Sequence, residues 1–551
     1  MKSLKSLKSL KPTGSAGPDK PSKAAKAAKA DKAGKPGKPG GSARSTALSL
    51  AAGAVALAAV TGFAALNAPG DDGPAEAKAA VRLPVERSSL LCPSPGGSDL
   101  AETAYVSFTP AGGTGGAGDE AGAAELVPSV PAAADEETDE KDGKKKDGKK
   151  KEAAGKPAVA VEEAGKPAVA ETSDSDAPAL IGTATGRLAP GWTAQQTTVS
   201  AAGGARGLLG VGCTAPDTDF WFPGASTAEG RQDYVHLTNP DDEAAVADIE
   251  LYGPEGALAS DVGDGITVPA RSSVPVLVST LTAEVADDVT LHVTTRSGRV
   301  GAAVKVAEER AGSDWLAAST EPARSLVLPG IPADATSVRL VAFAPGEDDA
   351  DVDVRLMGKN TTFTPAGHDS LHIKSQMTAS VDLKDVTRGE PGSLLLTQPK
   401  GGTPVVAALR VVRGTGDKQE IAYIPATEPV GARASVADNR AKSSVLSLTA
   451  PGASAKVKVT ASAGSKGGEQ TVKTYTVKGG TTLEVVPEAP AGLKGAYALT
   501  VETESGGPVH AARTLTVTEG GIKMFTVQTL PDDRGTVEVP TAVQDLSVLD
   551  D

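Results

Sequence analysis

RVGAAVKV at Arg299–Val306, PVVAALRV at Pro404–Val411 and PVHAARTLTV at Pro508–Val517 decide how this chain folds. Val300, Val405 and Val509 stand 105 and 104 residues apart, so one unit recurs with a period near 105. Its opening recurs as well. VHLTNPDD, LVAFAPGEDD and LSLTAPG place Pro240, Pro345 and Pro451 at intervals of 105 and 106. Inside the unit, Ile249, Leu251 and Gly253 match Val354, Leu356 and Gly358, and Val268 and Val276 match Val477 and Val485. These segments alternate apolar and polar residues, as strands with one buried face must.

Working outward, each unit is preceded by an apolar-proline step: Phe222-Pro223-Gly224, Leu328-Pro329-Gly330, Ile424-Pro425 and finally Leu530-Pro531. Read as short, stiff links, these steps divide the chain into β domains at 225–328, 329–424 and 425–530, strung as a rod and followed by a C-terminal tail at 531–551. Short strands without helical periodicity predict an all-β fold of tandem immunoglobulin-like β-sandwich repeats. The competing layout is one larger β assembly in which strands pair across units.

Residues 81–224 end in a similar GARGLLGVG…FWFPG pattern and read as a fourth, divergent copy. Within it, 111–177 is dominated by Gly, Ala, Glu, Asp and Lys, includes DEETDEKDGKKKDGKKK, and repeats AAGKPAVA as EAGKPAVA. That composition predicts a disordered insertion. Cys92 and Cys213, the only two cysteines, flank it. Outside a cell they favour a disulfide; the alternative is two buried free thiols.

Before this copy lies Thr46–Leu66, TALSLAAGAVALAAVTGFAAL, without a charged residue. A helix of this length covers roughly 30 Å, a bilayer core. Residues 1–45 carry eleven Lys and Arg44 against Asp19 and Asp31, a balance of +10, so the net −14 of the whole chain leaves −24 for the rest. This asymmetry predicts a disordered cytoplasmic tail at 1–45, a single transmembrane helix at 46–66, a stalk at 67–80 and an extracytoplasmic bulk. The alternative is a cleaved signal peptide with Ala75-Glu76-Ala77 as its processing site, which would leave a secreted protein. The lysines suit anionic lipid at the membrane surface. No aromatic is interleaved among them for base stacking, and no nucleic-acid partner is expected.

The chain offers no catalytic motif. None of His236, His292, His368, His372 and His510 lies in a G-x-S-x-G or H-E-x-x-H pattern. On a strand His368 and His372 would stand ~13 Å apart, too far to share a metal. Asp349, Asp351 and Asp353 superficially resemble a calcium loop, but alternation with Val352 and Val354 sends them to solvent. No catalytic, metal or cofactor-binding residues are expected. The unusual cluster is aromatic, in a chain with only 3% aromatic residues. Phe220, Trp221 and Phe222, with Trp192 and Tyr234, could form a sugar- or partner-binding surface or fill the joint between the first two β units.

Taken together, SSLLCP, DAPALIGTA, FWFPGAST, YVHLTNPDD, VTTRSGRVGAAV and LPGIPADATSVRLVAF resemble the domain-of-unknown-function 5719 proteins of actinomycetes, over roughly residues 48–551. The resemblance implies a membrane-anchored or secreted envelope protein without assigned chemistry. The expected function is therefore non-enzymatic: an extracytoplasmic envelope protein presenting tandem β domains to other envelope proteins. A cell-wall glycan or glycolipid binding module using the Trp192/Trp221 region, and an envelope hydrolase, are the alternatives.

Overall fold

The alternation read in the repeats folds as strands. Ala245–Gly253, AVADIELYG, buries every second residue. Ala350–Met357, ADVDVRLM, turns Ala350, Val352 and Val354 inward and Asp351, Asp353 and Arg355 to solvent. The computed structural model describes residues 81–96, 100–112, 122–130, 155–203 and 206–540. The basic tail, the apolar segment 46–66, the stalk and residues 541–551 lie outside the described residues. Within the described residues the chain is all β, with three single 3-10 turns and no helix long and apolar enough to cross a membrane.

One path of strands is followed four times. In residues 219–316 it runs Asp219–Ala225, Arg231–Thr238, Ala245–Gly253, a split fourth strand (Gly256–Ala257 and Ile266–Val268), Ser273–Leu277, Val289–Ser297, Gly301–Glu308 and Gly312–Leu316. The strands form two antiparallel sheets, in the orders first-sixth-third-fourth and fifth-second-seventh-eighth. The same two orders recur in 87–212, 325–425 and 433–529, the last with an added hairpin of Gly467–Glu469 and Ala491–Lys494. In each pair the two sheets share an apolar core; in the second, Phe222 and Ile249 of one sheet meet Val235 and Val304 of the other. The divergent N-terminal region thus has the repeat's strand path.

The structure corrects the expectation of a disordered insertion over 111–177. Ala124–Pro128, Val159–Val161 and Ala168–Thr172 supply the third, fourth and fifth strands of the first pair. The duplicated GKPAVA units become the fourth and fifth of these, one in each sheet. After each proline the Ala/Val alternation fits a pleated strand, and Val159 and Val161 enter the core. Their Gly and Lys obscured a β pattern only a few residues long. Residues 113–121 and 131–154 lie outside the described residues.

The apolar-proline steps are also not links. Pro223 and Pro329 lie inside first strands, at β-bulges, so the boundaries expected at 225 and 329 cut those strands. The following Gly224 and Gly330 take positive φ, +110° and +87°, which a side chain would strain. A Cβ on Gly330 would stand 2.8 Å from Ala512 of the next pair. These bulges press one sheet pair onto another. Pro425, by contrast, ends an eighth strand, and Pro531 follows one.

Nor are the four parts a rod. Each first strand packs on the seventh strand of the following pair: Asp219–Ala225 on Val406–Arg413, Ser325–Ile331 on His510–Glu519, Arg433–Asn439 on Thr193–Ser200, and Arg87–Cys92 on Gly301–Glu308. The fourth pair thereby meets the first. The eighth strands, Gly207–Gly212, Gly312–Leu316, Glu420–Pro425 and Ile522–Thr529, contact one another in a closed cycle. The ring is latched where Val81–Pro84 pairs with Thr536–Val539, which lies in the expected C-terminal tail. The described residues cluster as one compact unit.

Candidate functional site

The two cysteines are joined. Cys92 ends the first strand of the first pair and Cys213 follows its eighth. The disulfide is buried and ties the edges of two sheets that share no backbone ladder.

The aromatic candidates are dispersed and mostly covered. Trp192 is 4% exposed in the core of the first pair, where its indole N–H donates to Ser107 Oγ at 2.8 Å. Phe220 and Phe222 stack at 6.3 Å within the second core. Trp221 points the other way, since strand neighbours face opposite sides. It stacks on His292 at 3.6 Å and on Phe343 of the third pair at 5.5 Å. Tyr234 lies half-buried on another sheet, beside His236. The aromatic run therefore fills cores and a joint, that joint being between the second and third pairs; these five side chains do not form one exposed platform.

The histidines stand apart too. Burial pushes His236 down to about 3, with nearby Lys305 acting in the same direction. Burial pushes His510 down to about 4, against a hydrogen bond with Thr427. His292 bridges Glu250 and Asp219, and His372 sits 2.9 Å from Asp351. Asp351 and Asp353 face solvent as their alternation implied. Among the described residues no group of three His, Cys, Asp or Glu could hold a metal.

Two polar features were not singled out in the sequence. Asp314 is fully buried on Gly312–Leu316, where the eighth strands meet. The Gly210 amide and the Thr526 hydroxyl each donate to its carboxylate at 3.1 Å, and the Tyr423 and Trp315 amides donate as well. It thus gathers donors from all four pairs. Burial holds its pKa well above the usual carboxylate range and outweighs these hydrogen bonds, which act the other way. An acid in GSDWL, between buried strand residues, was the available signal. Arg513 occupies the place that Val304 and Leu409 hold in the repeat. It is fully buried, and its guanidinium reaches the Gln528 side chain and the carbonyls of Ala437 and Asp438.

The four junctions are not equally filled. At the second-to-third junction, Thr378 Oγ1 on the fifth strand donates to the Tyr252 carbonyl at 2.6 Å and bonds Thr290 Oγ1 at 2.9 Å. At the third-to-fourth, Thr482 Oγ1 repeats this with the Met357 carbonyl at 2.7 Å and Ser393 Oγ at 2.9 Å. At the first-to-second, the Val130 amide donates to the Arg271 carbonyl at 2.7 Å, just ahead of the fifth strand. The fifth strand of the first pair, Ala168–Thr172, opens on an alanine, and among the described residues no hydrogen bond joins it to the fourth pair.

A groove of about 550 Å³ lies there instead. Val106, Val169 and Val199 form its floor, Glu102 and Glu171 stand on one wall, and Asp438, Arg440, Ser465 and Lys466 on the other. Arg440 is paired with Asp438 at 3.1 Å, while Glu102, Glu171 and Lys466 make no ion pair among the described residues. Thr197 Oγ1 also lines the groove and has no partner, although Thr197 is 1% exposed. None of the lining residues is aromatic.

A ring of four like β-sheet pairs, with one junction open as a polar groove, defines an all-β protein with a recess between its first and last parts. The chain belongs to the family of unknown function DUF5719, whose model matches residues 168–488, more than half its length. No curated protein and no solved structure matches it. The matched residues begin at the groove's edge strand and reach into the fourth pair.

Proposed function

We propose that this chain is a non-catalytic, membrane-anchored envelope protein whose extracytoplasmic ring of immunoglobulin-like β-sandwiches, with sandwiches 219–316, 325–425 and 433–529 following a first at 87–212, holds a partner at one open junction. The observation that carries this reading is the unequal filling of the junctions. At three of them hydrogen bonds join the neighbouring pairs at or beside the fifth strand. At the fourth, which the Arg433 guanidinium bridges by donating to the Pro190 carbonyl, the place beside the fifth strand is a groove with unpaired charges and an unpartnered buried hydroxyl. The buried Thr197 hydroxyl costs free energy unless something pairs with it, while Glu102 and Glu171 stand exposed, open to the cations of a partner.

The buried disulfide supports an oxidising location, since such bonds persist mainly outside the cytoplasm. The charge asymmetry about residues 46–66 supports a cytoplasmic N-terminus. A closed ring supports a presenting role, because it fixes the groove's two walls relative to each other.

Protease shaving of intact cells, followed by mass spectrometry without reduction, tests the location. Expected is release of peptides from 81–540, with those containing Cys92 and Cys213 still joined. A ring domain left whole on shaved cells and degraded only after lysis overturns the reading.

A further inference from the structure

We propose that the groove between the first and fourth sheet pairs takes an extended, basic peptide strand, which adds to the free edge of Ala168–Thr172. This rests on the reading of the ring as a partner-holding scaffold and names the partner's chemistry.

Three observations converge. First, Ala168–Thr172 is an outer strand, bonded only to Ala101–Phe108; among the described residues its other edge carries no backbone hydrogen bond. An open edge is a row of donors and acceptors that another strand can complete. At the equivalent place in the other three junctions the neighbouring pair bonds at or beside the fifth strand; here the ring leaves the place open.

Second, the charge pattern selects the occupant. Glu171 lies opposite Ala104, and Glu102 precedes Ala104 by two, so both carboxylates stand on one face of the sheet. Neither is paired, whereas the opposite wall's Arg440 is already neutralised by Asp438. Against the unpaired Lys466 the two carboxylates leave a surplus of one negative charge, which favours a basic occupant. Side chains of an added strand reach such a face at every second position, so lysines or arginines spaced by two meet Glu102 and Glu171. Val106 and Val169 share that face and offer a floor to the aliphatic stems of the same basic side chains, while the residues between them face the other side of the sheet.

Third, Thr197 presents an unpartnered hydroxyl from a residue that is 1% exposed. It lies on Thr193–Ser200, two strands in from the free edge, and marks as polar the groove floor over which the occupant's side chains extend. A saccharide is the less fitting occupant, because aromatic stacking faces are missing from the lining.

The test uses the full chain purified in detergent and a fluorescein-labelled, amidated heptapeptide alternating lysine and valine, read by anisotropy. Two further peptides carry N-methyl groups on alternate amides, one in each phase. A strand adds through one edge only, so one methylated phase should bind at least tenfold more weakly and the other should bind as the parent does. The Glu102→Gln/Glu171→Gln double variant should also weaken the parent peptide at least tenfold, with an unchanged melting midpoint. Equal binding of both methylated peptides overturns the strand addition, and does so without any protein variant. Equal binding by the double variant overturns the charge assignment. Binding of a soluble wall oligosaccharide in place of the peptide, or a dimer of the chain through this edge that the peptide does not dissociate, overturns the proposed occupant. Failure of the peptide with the domain shown outside the cell removes this inference alone; binding with the domain shown inside removes the envelope reading alone.

Discussion

His510 shows how one buried side chain sets a pH response. It is 8% exposed, its Nδ1 lies 3.0 Å from the Thr427 carbonyl, and burial holds it down at about 4. In the unfolded chain an imidazole titrates near 6.5. Above that value both states are neutral and the difference vanishes. As pH falls below it, the unfolded state gains a proton that the folded state refuses, so stability is lost. At pH 5 this amounts to about 2 kcal/mol, at ~1.4 kcal/mol per unit. His510→Asn keeps a donor for Thr427 and removes the titration. The loss of stability between pH 7 and pH 5, read from urea midpoints, should shrink by about that amount. An unchanged loss would mean that His510 is protonated without cost.

Asp314 poses a different problem, because its value lies in accepting. Asp314→Ala strands the Gly210 and Tyr423 amides and the Thr526 hydroxyl in a buried centre. Several orphaned donors at ~1–3 kcal/mol each predict a loss of at least 3 kcal/mol. Asp314→Asn retains one accepting oxygen and should lose less than half as much. Denaturant midpoints of the two variants check this; equal losses would show that the donors do not depend on the side-chain oxygen.

Among the elements, the fifth strands govern the junctions. Thr482 sits on Thr481–Val485 and reaches the Met357 carbonyl and Ser393. Thr482→Val preserves shape and removes the hydroxyl. It should cost about 1–3 kcal/mol and raise amide exchange along Ala350–Met357 and Thr481–Val485 while sparing Ala245–Gly253. Protection unchanged along both strands would refute a hydroxyl latch.

The strands themselves were legible in the sequence, because alternation with a 105-residue echo reports burial on one face directly. Val352-x-Val354-x-Leu356 needed no structure. The pairing of Cys92 with Cys213 followed from their number and setting. The junctions were not legible. Phe222-Pro223-Gly224 looked like a link because proline and glycine mark turns and bulges alike, and only the partner face tells them apart. Thr378 and Thr482 stand 104 residues apart, a visible regularity, yet a hydroxyl in a strand carries no sign of what it bonds. The groove left still less trace. It arises where the fifth strand of the first pair makes no bond to its neighbour, and a missing contact has no motif.

For the whole molecule, ring closure changes what a domain means. The core of the second pair includes Ala408, Ile421 and Tyr423 of the third, and that of the third includes Ala512 and Phe525 of the fourth. Burial shared in this way cannot be lost by one pair without exposing its neighbour. Asp314 binds all four pairs at the centre as well. A rod of independent domains would melt in several steps, while this ring should melt in one, with calorimetric and van't Hoff enthalpies agreeing for the non-reduced chain. The first pair is the weak point, since its junction with the fourth holds the groove and its sheets depend on the disulfide. Reduction should cost roughly 2–5 kcal/mol and split the transition. Exchange would then rise first in 87–212 and along Arg433–Asn439, which packs on the first pair, and later in 219–316. Separate melting steps before reduction, or a reduced protein whose 87–212 segment stays as protected as the rest, would show that the four pairs are linked in sequence but not in stability.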